Sequence, residues 1–499
     1  MSGAGAPPGG YRWVDSSGSS GPVAQCRRRR WWVGAAVVVA VLIAVVAWWM
    51  WRPGTGEGHG GQATAGRSAP PLGTPKELLI GFPLNRPLTT VWQSKAAELG
   101  LPADAPLGDL FASTGDKAYF LSQFVDLHCS GRCRPQAAWV YGVDTRTGAR
   151  LFNPVQLPNY QFAVTCFGNG PTTAVCLKAD PPLTAWVIDL DHGKLTFTGP
   201  TDVAYSAYAG QPEAHPVGTS VGQSRLVSTV RGKGVYGMGS HTERTWFVPG
   251  NGFLSPGDNE VADDIPATPI AVSTGGGNDS DRVFSVIDGT DLTPAPPAGA
   301  ALSRAVVYNG GFAYAYQNPG TRATGVRFYD TKGTLISDRP FGTSFVKLLN
   351  NPAMPIIAAD GTFQVYTADG RQLSQFAAPE VAPDLRTIGT KLYVNIGEPS
   401  QKRWQQFDLM TGQPGPTCTG WQLKGTGPSG GGTYVASDGA NILTETEELS
   451  GQFEVTDAAT CQVLWRTPAD AKLQIWKVGT GLLQIEKGSN VMTWLRPPA

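Results

Sequence analysis

The hexapeptide His128-Cys129-Ser130-Gly131-Arg132-Cys133 brings an imidazole and two thiols together, the ligand types that zinc accepts. A closed zinc site needs four ligands, and no second clustered pair accompanies this one. The five histidines, His59, His128, His192, His215 and His241, are scattered without metal-binding spacing. Disulfide chemistry is the better reading, with Cys129 and Cys133 closing a small loop. Cys166 and Cys176 flank "FGNGPTTAV" symmetrically, so they can face each other across one hairpin. With Cys26 set apart near the N-terminus, Cys418 and Cys461 then remain, about one structural repeat apart. Their pairing would staple neighbouring repeats, provided that "QPGPTC" bends back.

Catalytic patterns are harder to find. There is no Gly-x-Ser-x-Gly at a strand-to-helix elbow to expose a serine nucleophile. The glycine-rich "GPSGGGTY" (427–434) lacks the Lys-Ser/Thr ending of a phosphate loop. Acids do recur, at Asp144, Asp189, Asp288, Asp330, Asp369, Asp408 and Asp457, but in a setting that explains them structurally. No catalytic, cofactor-binding or metal-ligating residue is assigned.

That setting is a repeated hairpin. "WVYGVDTRTGARLF" (139–152) runs through β-favouring residues to an Asp, then reaches a Gly within a few residues and resumes. "TAWVIDLDHGKLTF", "GVRFYDTKGTLIS", "TFQVYTADGRQLSQF", "RWQQFDLMTGQPG" and "QFEVTDAATCQVLW" share the layout, with Cys461 in the glycine's place in the last. The Asp carboxylate can accept bonds from N–H groups just downstream, while Gly148, Gly193, Gly333, Gly370 and Gly412 supply the positive φ of a tight reversal. Two weaker copies, turning at Asn251-Gly252 and Asp288-Gly289, fill the gap.

From Asp288 to Asp408 the turn acids are spaced by 42, 39 and 39 residues. A period near 40 with four strands per unit marks a propeller. One hairpin is marginal alone, so the units must bury their faces on one another, and residues 76–499 form one domain. The final strands, "LQIWKVG", "LLQIEKG" and "VMTWLRP", lack an outer strand; "KELLIGFP" or "TTVWQSKA" near residue 76 could supply it. The expectation is an all-β, eight-bladed ring. Seven blades would follow if the two weak copies merge, nine if they stay separate and the closing unit adds another.

Composition agrees with an all-β chain: Gly 63 and Pro 40 stand against only 16% charged residues. The first 30 residues read as a disordered cytoplasmic tail and 52–75 as a flexible linker. Between them, 31–51 is uncharged and flanked by tryptophans and four arginines. As a helix it would span about 31 Å, the thickness of a bilayer core. An uncleaved single-pass anchor is therefore expected, in contact with the lipid bilayer, with its N-terminus cytoplasmic and the large domain extracytoplasmic. Residues 1–52 hold six basic groups and one acid, which leaves the remainder with 33 basic and 38 acidic groups. That balance argues against nucleic acid as a partner.

The hairpin of "WVYGVDTRTGARLF", with "FDLMTGQPG" and "FEVTDAATCQVLW", resembles the quinoprotein-type, PQQ-like β-propeller repeat. Quinoprotein alcohol dehydrogenases and BamB-like assembly lipoproteins share that repeat. The Ala, Gly, Pro and Arg-rich composition resembles an actinobacterial one. The resemblance implies a propeller across most of 76–499 and a non-catalytic binding or scaffold role, with envelope or membrane proteins as partners. A PQQ-dependent oxidoreductase is the alternative. Such an enzyme would be expected to carry an adjacent Cys-Cys pair, which this chain lacks. A glycan or ligand sensor is a third reading, resting on aromatic loops such as 203–216.

Overall fold

The computed structural model describes residues 73–498, apart from 125–136, 161–163, 179–181, 205–216, 222–224, 256–267, 276–278, 352, 378–384, 398–402, 422, 424–433, 447–449 and 488–489. Among the described residues, thirty-five strands form nine antiparallel sheets, eight with four strands and one with three. In chain order the blades are 109–156, 164–200, 217–249, 254–291, 301–340, 346–377, 385–419, 434–466 and 473–496, numbered 1 to 9. Blade 4 is the three-stranded one; its fourth strand is reduced to the isolated bridge of Phe284 with Asp291.

What holds the ring is packing between blades. The buried apolar residues fall into nine clusters, one at each junction. Phe328 of blade 5, for example, packs with Ile357 and Tyr366 of blade 6. Both faces of a blade are thus apolar, which is why the middle strands read as near-continuous hydrophobic runs: Ala137–Asp144 buries six of its eight residues. Outer strands are edges, and a bulge beside the turn bends most of them away from further pairing, as at Val187/Ile188 and Phe328/Tyr329.

Nine blades correct the expected eight. The closing blade joins Leu473–Val478, Gly481–Glu486 and Val491–Arg496 to Thr89–Lys95, which pairs antiparallel with the last strand. Counting outer hairpins misses it, because its outer strand comes from the other end of the chain and no turn connects the two. "TTVWQSKA" therefore supplies the closing strand, and "KELLIGFP" does not.

The copy at Asn251-Gly252 also needs correction. Those residues cross from the outer strand of blade 3 to the first strand of blade 4, Asn251 N donating to Thr274 O at 3.0 Å. The outer hairpin of blade 3 turns instead at 239–243, where Gly239 N donates to Glu243 O at 2.8 Å and no Asp signals it.

Among the described residues no helix is long and apolar enough to cross a membrane. The expected span at 31–51, with the tail and most of the linker, lies outside the described residues. The single-pass localisation is accordingly withdrawn.

Candidate functional site: turn acids, staples and a cavity at the ring closure

The recurring acids are occupied with their own turns. Asp144 Oδ1 accepts from Arg146 N at 2.9 Å and Thr147 N at 3.2 Å, and Asp457 Oδ1 from Ala459 N at 2.9 Å and Thr460 N at 2.7 Å. Asp189 and Asp408 make the equivalent pairs of bonds, and Asp330 accepts from Lys332 N and Thr334 N. Bonds to the charged form lower a carboxyl pKa. The Lys391 ammonium, 2.7 Å from Asp408, followed by the Thr411 bonds, holds Asp408 down at about 2. The His192 ring, bonded to its carboxylate, lowers Asp189 as well. In Asp330 burial pushes upward, but the N–H groups of Thr334 and Lys332 prevail.

Two of the expected acids sit elsewhere in the turn. Ser285 occupies the leading position in blade 4, with Gly289 N donating to Ser285 O, and Asp288 is a later turn residue capping Thr290 N. Thr367 leads in blade 6, and Asp369 accepts from its hydroxyl.

The turn glycines serve the neighbouring blade as well as the hairpin. A Cβ on Gly148 would lie 2.8 Å from the Trp92 ring, and one on Gly193 would overlap the Phe152 ring, each on the outer segment of the preceding blade. Both have positive φ, +74° and +58°, so space and backbone select the same residue. In blade 8 the position holds Cys461, also at positive φ, bonded to Cys418 in the outer strand of blade 7. "QPGPTC" need not bend back, because the outer turns of most blades rest on the preceding blade. Cys166 and Cys176 are directly opposite in one hairpin and bonded. Cys129, Cys133 and His128 lie outside the described residues.

At the junction of blades 9 and 1 lies a cavity of about 410 Å³, within the range of small-ligand sites. One wall is the connector from the closing strand to blade 1. Three successive carbonyls of this connector each accept a bond from a different side chain. Asn490 Nδ2 donates to Ala105 O at 2.6 Å, Ser122 Oγ to Pro106 O at 2.5 Å and Tyr141 Oη to Leu107 O at 2.7 Å. Leu107 N returns a bond to Asn490 Oδ1 at 2.9 Å. Ser122 and Tyr141 are fully buried, and burial, then the Asp109 charge, keeps the Tyr141 phenol well above its ordinary pKa. The phenol stays a neutral donor.

Leu121 and Ile485 form the apolar lining, while Asp109, Gln474 and Lys487 bring polar groups to it. Gln474 Nε2 donates to Asp109 Oδ1 at 3.0 Å across the blade junction. None of these residues stood out in the sequence. The only local signal is the turn-rich "LPADAPLGD" (101–109), a connector longer than those between most other blades.

The profile of the conjugation-associated 9-bladed β-propeller domain matches residues 64–498. The chain belongs to this family. An uncharacterized protein of Mycolicibacterium smegmatis (strain MKD8) is 29% identical over 455 residues, covering 85% of this chain and 88% of that protein. Among solved structures, BamB from Moraxella catarrhalis is 12% identical, covering 82% of this chain and all of that one at a TM-score of 0.36. The computationally designed Ika8 protein is 16% identical, covering 69% and 99%, at a TM-score of 0.37.

Proposed function

We propose that this propeller is a non-catalytic binding module that serves conjugative transfer and engages a partner through the cavity at its closure. The observation that carries the reading is the connector Ala105–Leu107. Three side chains from two blades hold its successive carbonyls, so the cavity wall is preorganised before any ligand arrives. Polar groups that could be read as reactive are instead committed to turns. The family's description supplies the conjugation context, and a binding or scaffold role agrees with a fold whose repeated parts are spent on packing.

The test is photocrosslinking in cells that carry the conjugative element, from Gln474 beside the cavity and from Val463 on the outer strand of blade 8. A defined partner trapped from Gln474 and not from Val463, together with reduced transfer frequency on deletion of the chain, supports the reading. Equal labelling from both positions, or undiminished transfer, refutes it.

A further inference from the structure

The cavity at the junction of blades 9 and 1 holds one carboxylate and one ammonium, Asp109 and Lys487. Neither has an ion-pair partner among the described residues, and they do not pair with each other. Both are exposed. The other polar lining groups are used internally. Asn490 spends its amide on the connector, and Gln123 accepts from Tyr160 Oη and Val164 N and donates to Val164 O. Gln474 is turned toward Asp109 Oδ1, which leaves Asp109 Oδ2 and the Lys487 Nζ for a ligand. The apolar part of the lining comes from Pro106, Leu107, Leu121 and Ile485.

An occupant that satisfies all three features carries a cation for Asp109, an anion for Lys487 and a hydrocarbon stem between them. A metal ion is a poor fit, since one carboxylate cannot supply a cation's oxygen shell. A simple anion would meet Lys487 and be repelled by Asp109.

We propose that this cavity binds an amino-acid residue that has both a cationic side chain and a free carboxylate. It would be presented either as the last residue of a partner chain or as the free amino acid. Asp109 pairs with the ammonium or guanidinium and Lys487 with the carboxylate. Leu121 and Ile485 cover the methylene stem, as apolar surfaces cover the stems of long basic side chains. The proposal rests on the binding-module reading and adds the ligand's chemistry to it.

The test uses the full chain and calorimetric titration with four probes: N-acetyl-glycyl-arginine, its C-terminal amide, agmatine and free arginine. Asp109→Asn and Lys487→Met leave the connector's bonds intact and should keep the fold, checked by thermal melting. The dipeptide acid should bind wild-type protein about five-fold more tightly than its amide, the scale of one partly exposed ion pair. Lys487→Met should abolish that preference, and agmatine should bind no better than the amide. Asp109→Asn should weaken every probe. If free arginine matches the dipeptide acid, the source is the free amino acid; if only the dipeptide binds, it is a chain terminus. Equal binding of acid and amide, preferences unchanged in the variants, or no binding of any probe overturns the proposal. A defined partner trapped from Gln474 alongside failed titrations would reject this chemistry while leaving the binding-module reading standing.

Discussion

Cys461 in the outer turn of blade 8 is bonded to Cys418 in the outer strand of blade 7, at the place where other blades rest a turn glycine on their neighbour. One packing contact of the ring has become covalent, and the cysteine keeps the positive φ of the glycine it replaces.

That exchange predicts an unequal pair of variants. Removing the bond as Cys418→Ala with Cys461→Ala should cost about 2–4 kcal/mol. Cys418→Ala with Cys461→Gly should recover roughly 1 kcal/mol of that loss, because glycine accepts a positive φ at little cost. Denaturant unfolding of the two double variants measures the difference. Equal stability would show that the backbone at 461 stores no strain.

Gly148 and Gly115 both have positive φ, but a Cβ at Gly148 meets Trp92 whereas one at Gly115 meets nothing within 4 Å. Gly115→Ala should therefore cost only the backbone penalty, about 1 kcal/mol. Gly148→Ala should cost more, since Trp92 must move while its Nε1 donates to Thr145 O at 2.9 Å. A changed environment in tryptophan fluorescence should accompany the second variant and not the first.

The closing blade has no outer turn to cover the outer strand of blade 8. Leu84 stands in for it: its carbonyl accepts from Trp465 Nε1 at 2.7 Å, its amide donates to Asp438 Oδ2, and its side chain is fully buried. Leu84→Ala should destabilise the ring by about 2–5 kcal/mol. Val91→Ala, on the exposed face of the closing strand, should change stability by no more than about 0.5 kcal/mol. Comparable losses for the two would mean that Leu84 is not a substitute for the missing turn.

Asp408 is held at about 2, against an ordinary 3.8, chiefly by Lys391. A depressed folded-state pKa adds stability above the unfolded value and loses it as pH falls through the folded one. The contribution is thus complete above about pH 4 and fades toward pH 2. Lys391→Met should move the Asp408 titration upward in carboxyl NMR. The stability gap between wild type and variant should be wider at pH 5 than at pH 2.5, and a gap independent of pH would contradict the assignment.

Much of the ring was legible because its turns are local chemistry. An Asp followed by a positive-φ glycine specifies a hairpin from within a few residues, so the outer turns at Asp144, Asp189, Asp330 and Asp408 could be read directly, and that at Asp457 by its shared layout with Cys461 in the glycine's place. The turn of blade 3 escaped notice because Glu243 O and Gly239 N close it without an Asp. Asp288 and Asp369 were displaced within their turns because Ser285 and Thr367 can lead a turn as well as an Asp. The cavity left almost no trace, since Ala105, Ser122, Tyr141 and Asn490 are brought together from positions up to 385 residues apart.

The amino-acid sequence alone determined that the chain is a ring of antiparallel sheets, where most of its outer hairpins turn, and which segments could complete the last sheet. These follow from alternation, turn residues and the need of each sheet to bury both faces. The tertiary structure decided that there are nine blades, that Thr89–Lys95 closes them, that Cys461 meets Cys418, and that a cavity opens between the first and last. Each of these depends on contacts between residues far apart in the chain, whose geometry is set by the angle at which whole sheets pack and not by any short run of residues.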